Sequence, residues 1–103
     1  FIHYFENKDY TQLLYAADII RSKFDNAVIF LSSLNNKRNI FVLAVTDKAS
    51  KVFNVGNFIA QYKDSLGLKG GGKGFVAQGV LLNNLSKEEI EEALKEYLNK
   101  ENG

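Results

Sequence analysis

Apolar and polar positions along the 103 residues change period several times, and each change marks a new element. Ile2 to Glu6 alternates between the two kinds and predicts a short strand. From Asp9 the period lengthens. Tyr10, Leu13, Leu14, Ala17, Ile20 and Phe24 recur at helical spacing, with Asp18, Arg21 and Lys23 off that stripe. Asp9 suits an N-cap, and Gln12 three residues later completes a capping box. Residues 27–31 and 40–45 are β-branched and aromatic runs too short for independent helices. The segment between them, residues 33–39, is a polar loop whose Asn35 and Asn36 tolerate left-handed geometry, so the three pieces read as a β-hairpin. Its near-continuous apolarity predicts central strands covered on both faces.

A second amphipathic helix follows a polar connection over residues 46–51. Val55, Phe58, Ile59, Tyr62 and Leu66 form its stripe, Asn54 its cap and Gly67 its stop. Gly56 sits in the first turn, where glycine forfeits about 1 kcal/mol of helix propensity relative to alanine. That cost makes sense where the helix start lies close to another backbone or a phosphate. Residues 75–82 contain a further strand. Ser86 and Glu89 then form a capping box, with Leu85 and Ile90 at the staple positions, and Ile90, Ala93, Leu94, Tyr97 and Leu98 line the last helix. The order is strand, helix, strand, strand, helix, glycine loop, strand, helix. It predicts one α/β domain over residues 1–103: a small mixed β-sheet with a central hairpin, packed by about three helices.

Composition narrows the chemistry. Without cysteine there are no disulfides, thiol nucleophiles or thiolate metal sites. One histidine, His3, cannot build a zinc site or serve as a triad base without partners, and it reads as a half-exposed strand residue. No apolar run approaches the roughly 20 residues that span a bilayer, and no signal peptide is visible. Methionine is absent throughout, which points to a piece excised from a longer polypeptide.

The net charge of +1 conceals a segregation. Residues 37–73 carry seven basic side chains (Lys37, Arg38, Lys48, Lys51, Lys63, Lys69, Lys73) against Asp47 and Asp64, a net of +5. The remainder to the C-terminus carries three basic and six acidic ones. A middle third this basic forms a positive face on a nearly neutral domain.

Five of the eight glycines fall within residues 70–79, in the run Gly70-Gly71-Gly72-Lys73-Gly74-Phe75-Val76-Ala77-Gln78-Gly79. Residues 67–73 satisfy the first seven positions of a phosphate-binding P-loop, but Gly74 stands where a magnesium-binding Ser or Thr is required, and a helix rather than a strand precedes. A nucleotide triphosphatase is thereby set aside. Exposed glycine N–H groups donate to phosphate oxygens without obstruction, Lys73 adds a charge, and Gln78 can hydrogen-bond a base or ribose.

The stretch GGGKGFVAQGV, residues 70–80, resembles the signature of the C-terminal domain of bacterial alanyl-tRNA synthetases, within the wider DHH-associated superfamily. Residues 18–31, 40–45 and 54–59 resemble the helix, hairpin strand and glycine-containing helix start of that family, so the likeness covers nearly the whole chain. Gly74 replaces the family proline, Phe75 and Val76 replace Asp-Met, and Val80 replaces a glycine. Phe75 either enters the core, the reading the sequence favours, or offers a base a stacking surface.

The resemblance implies a cytoplasmic, noncatalytic tRNA-binding appendage from the C-terminal end of a multidomain enzyme, contacting the outer corner of tRNA and supporting aminoacylation and editing. Its partners would be tRNA, alanine tRNA above all, the parent's other domains and a second copy, with no membrane. It would hold no cofactor, while ATP, magnesium and zinc would serve the parent's other domains. Gly70, Gly71, Gly72, Lys73 and Gln78 would touch RNA within a field from Lys69, Lys63, Lys51, Lys48, Arg38 and Lys37. Two alternatives remain: the substrate-binding lobe of a DHH phosphoesterase, which expects a histidine at position 74 or 75, and a dimerisation or docking module.

Overall fold

The computed structural model describes residues 1–102, apart from the side chains of Lys73, Glu101 and Asn102. Five strands form one sheet in the order β1-β2-β3-β5-β4, with β1 Ile2–Glu6, β2 Val28–Asn35, β3 Arg38–Val45, β4 Leu68–Lys73 and β5 Val76–Leu81. β1 runs parallel to β2, and every other pairing is antiparallel. The helices are α1 Tyr10–Lys23, α2 Val55–Leu66 and α3 Lys87–Asn102. The mixed α/β architecture with a central hairpin is as the sequence predicts. Among the described residues no helix is long and apolar enough to cross a membrane.

Alternation along the central strands divides the core into two layers. On one side Ile29, Leu31, Ile40, Val42 and Ala44 pack with Leu13 and Ala17 of α1. On the other, Phe30, Phe41, Leu43, Leu68, Ala77 and Leu81 pack with α2 and α3. β2 and β3 are therefore buried on both faces, which explains their uninterrupted apolar runs. Phe53, Phe58, Tyr62 and Tyr97 form an aromatic cluster on the α2–α3 side, with ring centroids 4.7–5.5 Å apart.

Helix ends follow their capping residues. Asp9 accepts from the Gln12 N–H at 2.9 Å while the Gln12 side chain accepts from the Asp9 N–H. Ser86 and Glu89 reciprocate in the same way at the start of α3. Asn54 accepts from the Asn57 N–H at 2.8 Å, and Gly67 ends α2 in the left-handed region at φ 69°.

Three expectations are corrected. The glycine run is not a loop: Gly70, Gly71 and Gly72 belong to strand β4, paired in register with β5. The hairpin loop contracts from residues 33–39 to Asn36 and Lys37, both left-handed at φ 51° and 63°, because a two-residue turn of that hand matches the twist of the flanking strands. Phe24 leaves the core stripe. It lies at the C-cap of α1 in extended conformation and is 51 % exposed.

Candidate functional site

Gly70, Gly71, Gly72, Lys69 and Lys63 meet along the free edge of the sheet. Among the described residues β4 pairs only with β5, so its other edge has no strand partner there. The Leu82 N–H donates to the Gly67 carbonyl at 2.7 Å, which sets the phase of the ladder. Lys69 and Gly71 consequently exchange hydrogen bonds with β5, whereas Gly70 and Gly72 turn their N–H and C=O groups outward. Helix α2 runs beside this edge and leaves a cleft of about 370 Å³, lined by Gly56, Ile59, Lys63, Lys69 and the three glycines.

Close backbone approach explains the glycines. A Cβ on Gly56 would stand 2.6 Å from the Gly72 carbonyl oxygen, so only glycine lets the first turn of α2 lie against β4. This is the close backbone that the sequence anticipates at Gly56. Gly70, at φ 156°, faces Gly79 across the ladder: a Cβ on Gly70 would be 2.6 Å from the Gly79 Cα and would overlap the Gln78 carbonyl. Gly71 differs, having open space where a Cβ would be. It is therefore a bare, exposed backbone position rather than a packing requirement.

Gln78 lies on the other side of the sheet from α2. It shares its face with Val76, which packs in the α1-side layer, alternates with Ala77, and pairs with Gly71. Because α1 covers β2 and β3, this part of β5 and β4 stays open, and both Gln78 and Lys69 are exposed. Tyr10 borders the opening and donates to the Gly79 carbonyl at 2.7 Å. Burial pushes the Tyr10 hydroxyl pKa above its usual value, opposed by the charge of Arg38.

The basic residues are spread over both ends of the sheet rather than gathered along the β4 edge. Lys63 and Lys69 flank the cleft. Lys48 and Lys51 border the short 3-10 turn Ala49–Lys51 between β3 and α2, at the sheet end where the Val45 N–H donates to the Phe75 carbonyl. Lys37 and Arg38 occupy the β2–β3 turn at the opposite end, so the structure separates them from Gly72 by the length of the sheet. Lys73 closes β4 opposite Val76, and its side chain lies outside the described residues.

Phe75 departs from the expectation that it enters the core. With Gly74 it forms the two-residue β4–β5 connection, it is 39 % exposed, and the Arg21 guanidinium carbon lies 5.4 Å from its ring centroid. Strand alternation would not have found this, since Phe75 stands in a turn. The only sequence signal was Arg21, off the apolar stripe of α1.

A mixed sheet with a glycine edge strand and one helix layer on each face makes this an α/β sandwich domain. The chain belongs to the DHHA1 domain family, whose model matches residues 1–100. It is 31 % identical over 94 residues to alanine–tRNA ligase of Alkaliphilus oremlandii, covering 90 % of this chain and 11 % of that protein. To alanine–tRNA ligase of Buchnera aphidicola it is 27 % identical over 81 residues, covering 79 % and 9 %. The chain thus spans about a tenth of the length of these curated relatives. The crystal structure of the C-Ala domain from Aquifex aeolicus alanyl-tRNA synthetase matches its fold with a TM-score of 0.70 and 27 % identity, over 99 % of this chain and 91 % of that one.

Proposed function

We propose that this chain is the C-terminal, tRNA-binding appendage of an alanyl-tRNA synthetase. It performs no chemistry itself and holds alanine tRNA by the outer corner for aminoacylation and editing elsewhere in the parent, a cytoplasmic ligase using ATP, magnesium and zinc in its other domains. The family, the two ligase relatives and the C-Ala likeness support the parentage. One observation carries the binding role. The edge of β4 offers outward backbone N–H groups at Gly70 and Gly72, bare of side chains, between Lys63 and Lys69. Phosphate oxygens accept from such groups while the lysines supply charge, so shape is read through the RNA backbone.

Titration of the chain with an alanine tRNA transcript at several salt concentrations tests this reading. Affinity is expected to fall steeply with salt. Lys69→Glu, Lys63→Glu or Lys73→Glu should weaken binding far more than Lys100→Glu, whose ammonium bridges Glu96 on α3 at 3.3 Å. Equal effects from all four changes, or no affinity even at low salt, would refute the role.

A further inference from the structure

We propose that Phe75 is a stacking platform for one unpaired nucleobase, presented by the β4–β5 turn and backed by the Arg21 guanidinium. The inference rests on the tRNA reading above and adds to it a contact with a base rather than a phosphate.

The turn holds the ring in a fixed place. Gly74 and Phe75 link the paired residues Lys73 and Val76, and the Phe75 carbonyl accepts from the Val45 N–H at 2.9 Å, so the backbone is tied into the sheet on both sides. A ring carried on a backbone already held in this way costs less ordering when a base lies on it. The ring is left partly in water, at 39 % exposure, less than Phe1 and Phe24 but unlike the buried Phe30, Phe41, Phe53 and Phe58. An exposed aromatic on a rigid turn is a surface for a flat partner.

Arg21 supplies the second element. Its guanidinium lies within cation–π range of the ring. Its Nε is buried and has no hydrogen-bond partner among the described residues. Its ion pair with Asp18, the one among the described residues, is long at 3.4 Å. The charge therefore stays available to a phosphate flanking the stacked base. Aromatic and arginine planes together hold splayed-out RNA bases because every base has a π-face.

The position also suits the proposed path. From Lys69 to Lys73 the extended β4 strand covers about 13 Å and ends at the Gly74-Phe75 turn, and the exposed Lys48 and Lys51 stand at that same end of the sheet. RNA following the glycine edge thus reaches the ring within a positive field.

Titrations with an alanine tRNA transcript separate this contact from the phosphate contacts. Phe75→Leu keeps an apolar side chain but removes the π-face, and should weaken binding by roughly 5- to 150-fold with the salt slope unchanged. Phe75→Tyr should stay within about threefold of the original chain. Phe75→Trp provides a direct signal that does not depend on the leucine variant folding: its indole fluorescence should be quenched by tRNA. If Phe75→Leu binds as tightly as the original chain, or the tryptophan is not quenched, while Lys69→Glu still weakens binding, the platform is wrong and the tRNA reading stands. If the unaltered chain has no affinity for the transcript at low salt, both fall.

Discussion

Gly56 in the first turn of α2 lies so close to Gly72 in β4 that a methyl group on the first would stand 2.6 Å from the carbonyl oxygen of the second. This contact makes the cleft narrow and aligns the helix with the sheet edge. Two effects of Gly56→Ala oppose each other. Helix propensity favours alanine by about 1 kcal/mol. The clash is with backbone, which cannot rotate away, and overpacking of this kind costs about 1–3 kcal/mol. The clash should win, giving a net loss of up to about 2 kcal/mol by urea unfolding. Gly71→Ala, with nothing within 4 Å of the new methyl, should be neutral or stabilising by up to about 1 kcal/mol.

Most of the fold was legible because its signals are local. Asp9 with Gln12, Asn54 with Gly67, and Ser86 with Glu89 announce helix ends through side chains reaching backbone groups three residues away, and the structure uses all of them. The glycine strand was not legible for the opposite reason. Gly70, Gly71 and Gly72 carry no side chains whose alternation could reveal a strand, and they are held in β4 by pairing with β5. Phe75 was misjudged because its hydrophobicity says nothing about a position fixed by a turn.

The β2–β3 turn gives a prediction that separates charge from conformation. Lys37 sits at φ 63°, a region costing a side-chain-bearing residue about 1–2 kcal/mol relative to glycine. Lys37→Gly creates an Asn-Gly pair, the preferred two-residue hairpin turn. The thermal midpoint should rise, corresponding to roughly 1 kcal/mol. Because Lys37 lies at the sheet end opposite Gly72, the same change should alter tRNA affinity less than Lys69→Glu does. A larger loss from Lys37→Gly would move the RNA path to the hairpin tip.

The basic residues were legible as a segment, but their arrangement depends on topology. Lys63 reaches the cleft because α2 packs against β4, and Lys69 because it precedes the glycines. On this arrangement the slope of log affinity against log salt should fall by about 0.7–0.9 on removing either lysine. It should not change for Lys95→Gln, whose ammonium pairs with Glu91 on α3 at 3.2 Å. Fluorescence anisotropy of a labelled tRNA across a salt series measures each slope.

Tyr62 provides a test of the α2–α3 packing that is independent of RNA. Its hydroxyl donates to the Glu96 carboxylate at 2.8 Å. Burial, together with that bond, pushes the Tyr62 pKa up to about 12, while the bond and Lys100 hold the Glu96 pKa below its usual value. For Tyr62 the folded pKa exceeds the unfolded value of about 10. Its contribution is therefore complete below pH 10 and is lost as pH rises towards 12, because the unfolded chain releases the proton first. For Glu96 the folded pKa is the lower one, so its contribution is present above about pH 4.3 and fades as pH falls through the folded value. An absorbance titration at the phenolate band should show a tyrosine component near pH 12 that disappears in Tyr62→Phe. Stability of that variant, from urea midpoints between pH 9 and pH 12, should fall less steeply with pH than that of the original chain. Identical slopes would mean that the hydroxyl is not held by Glu96.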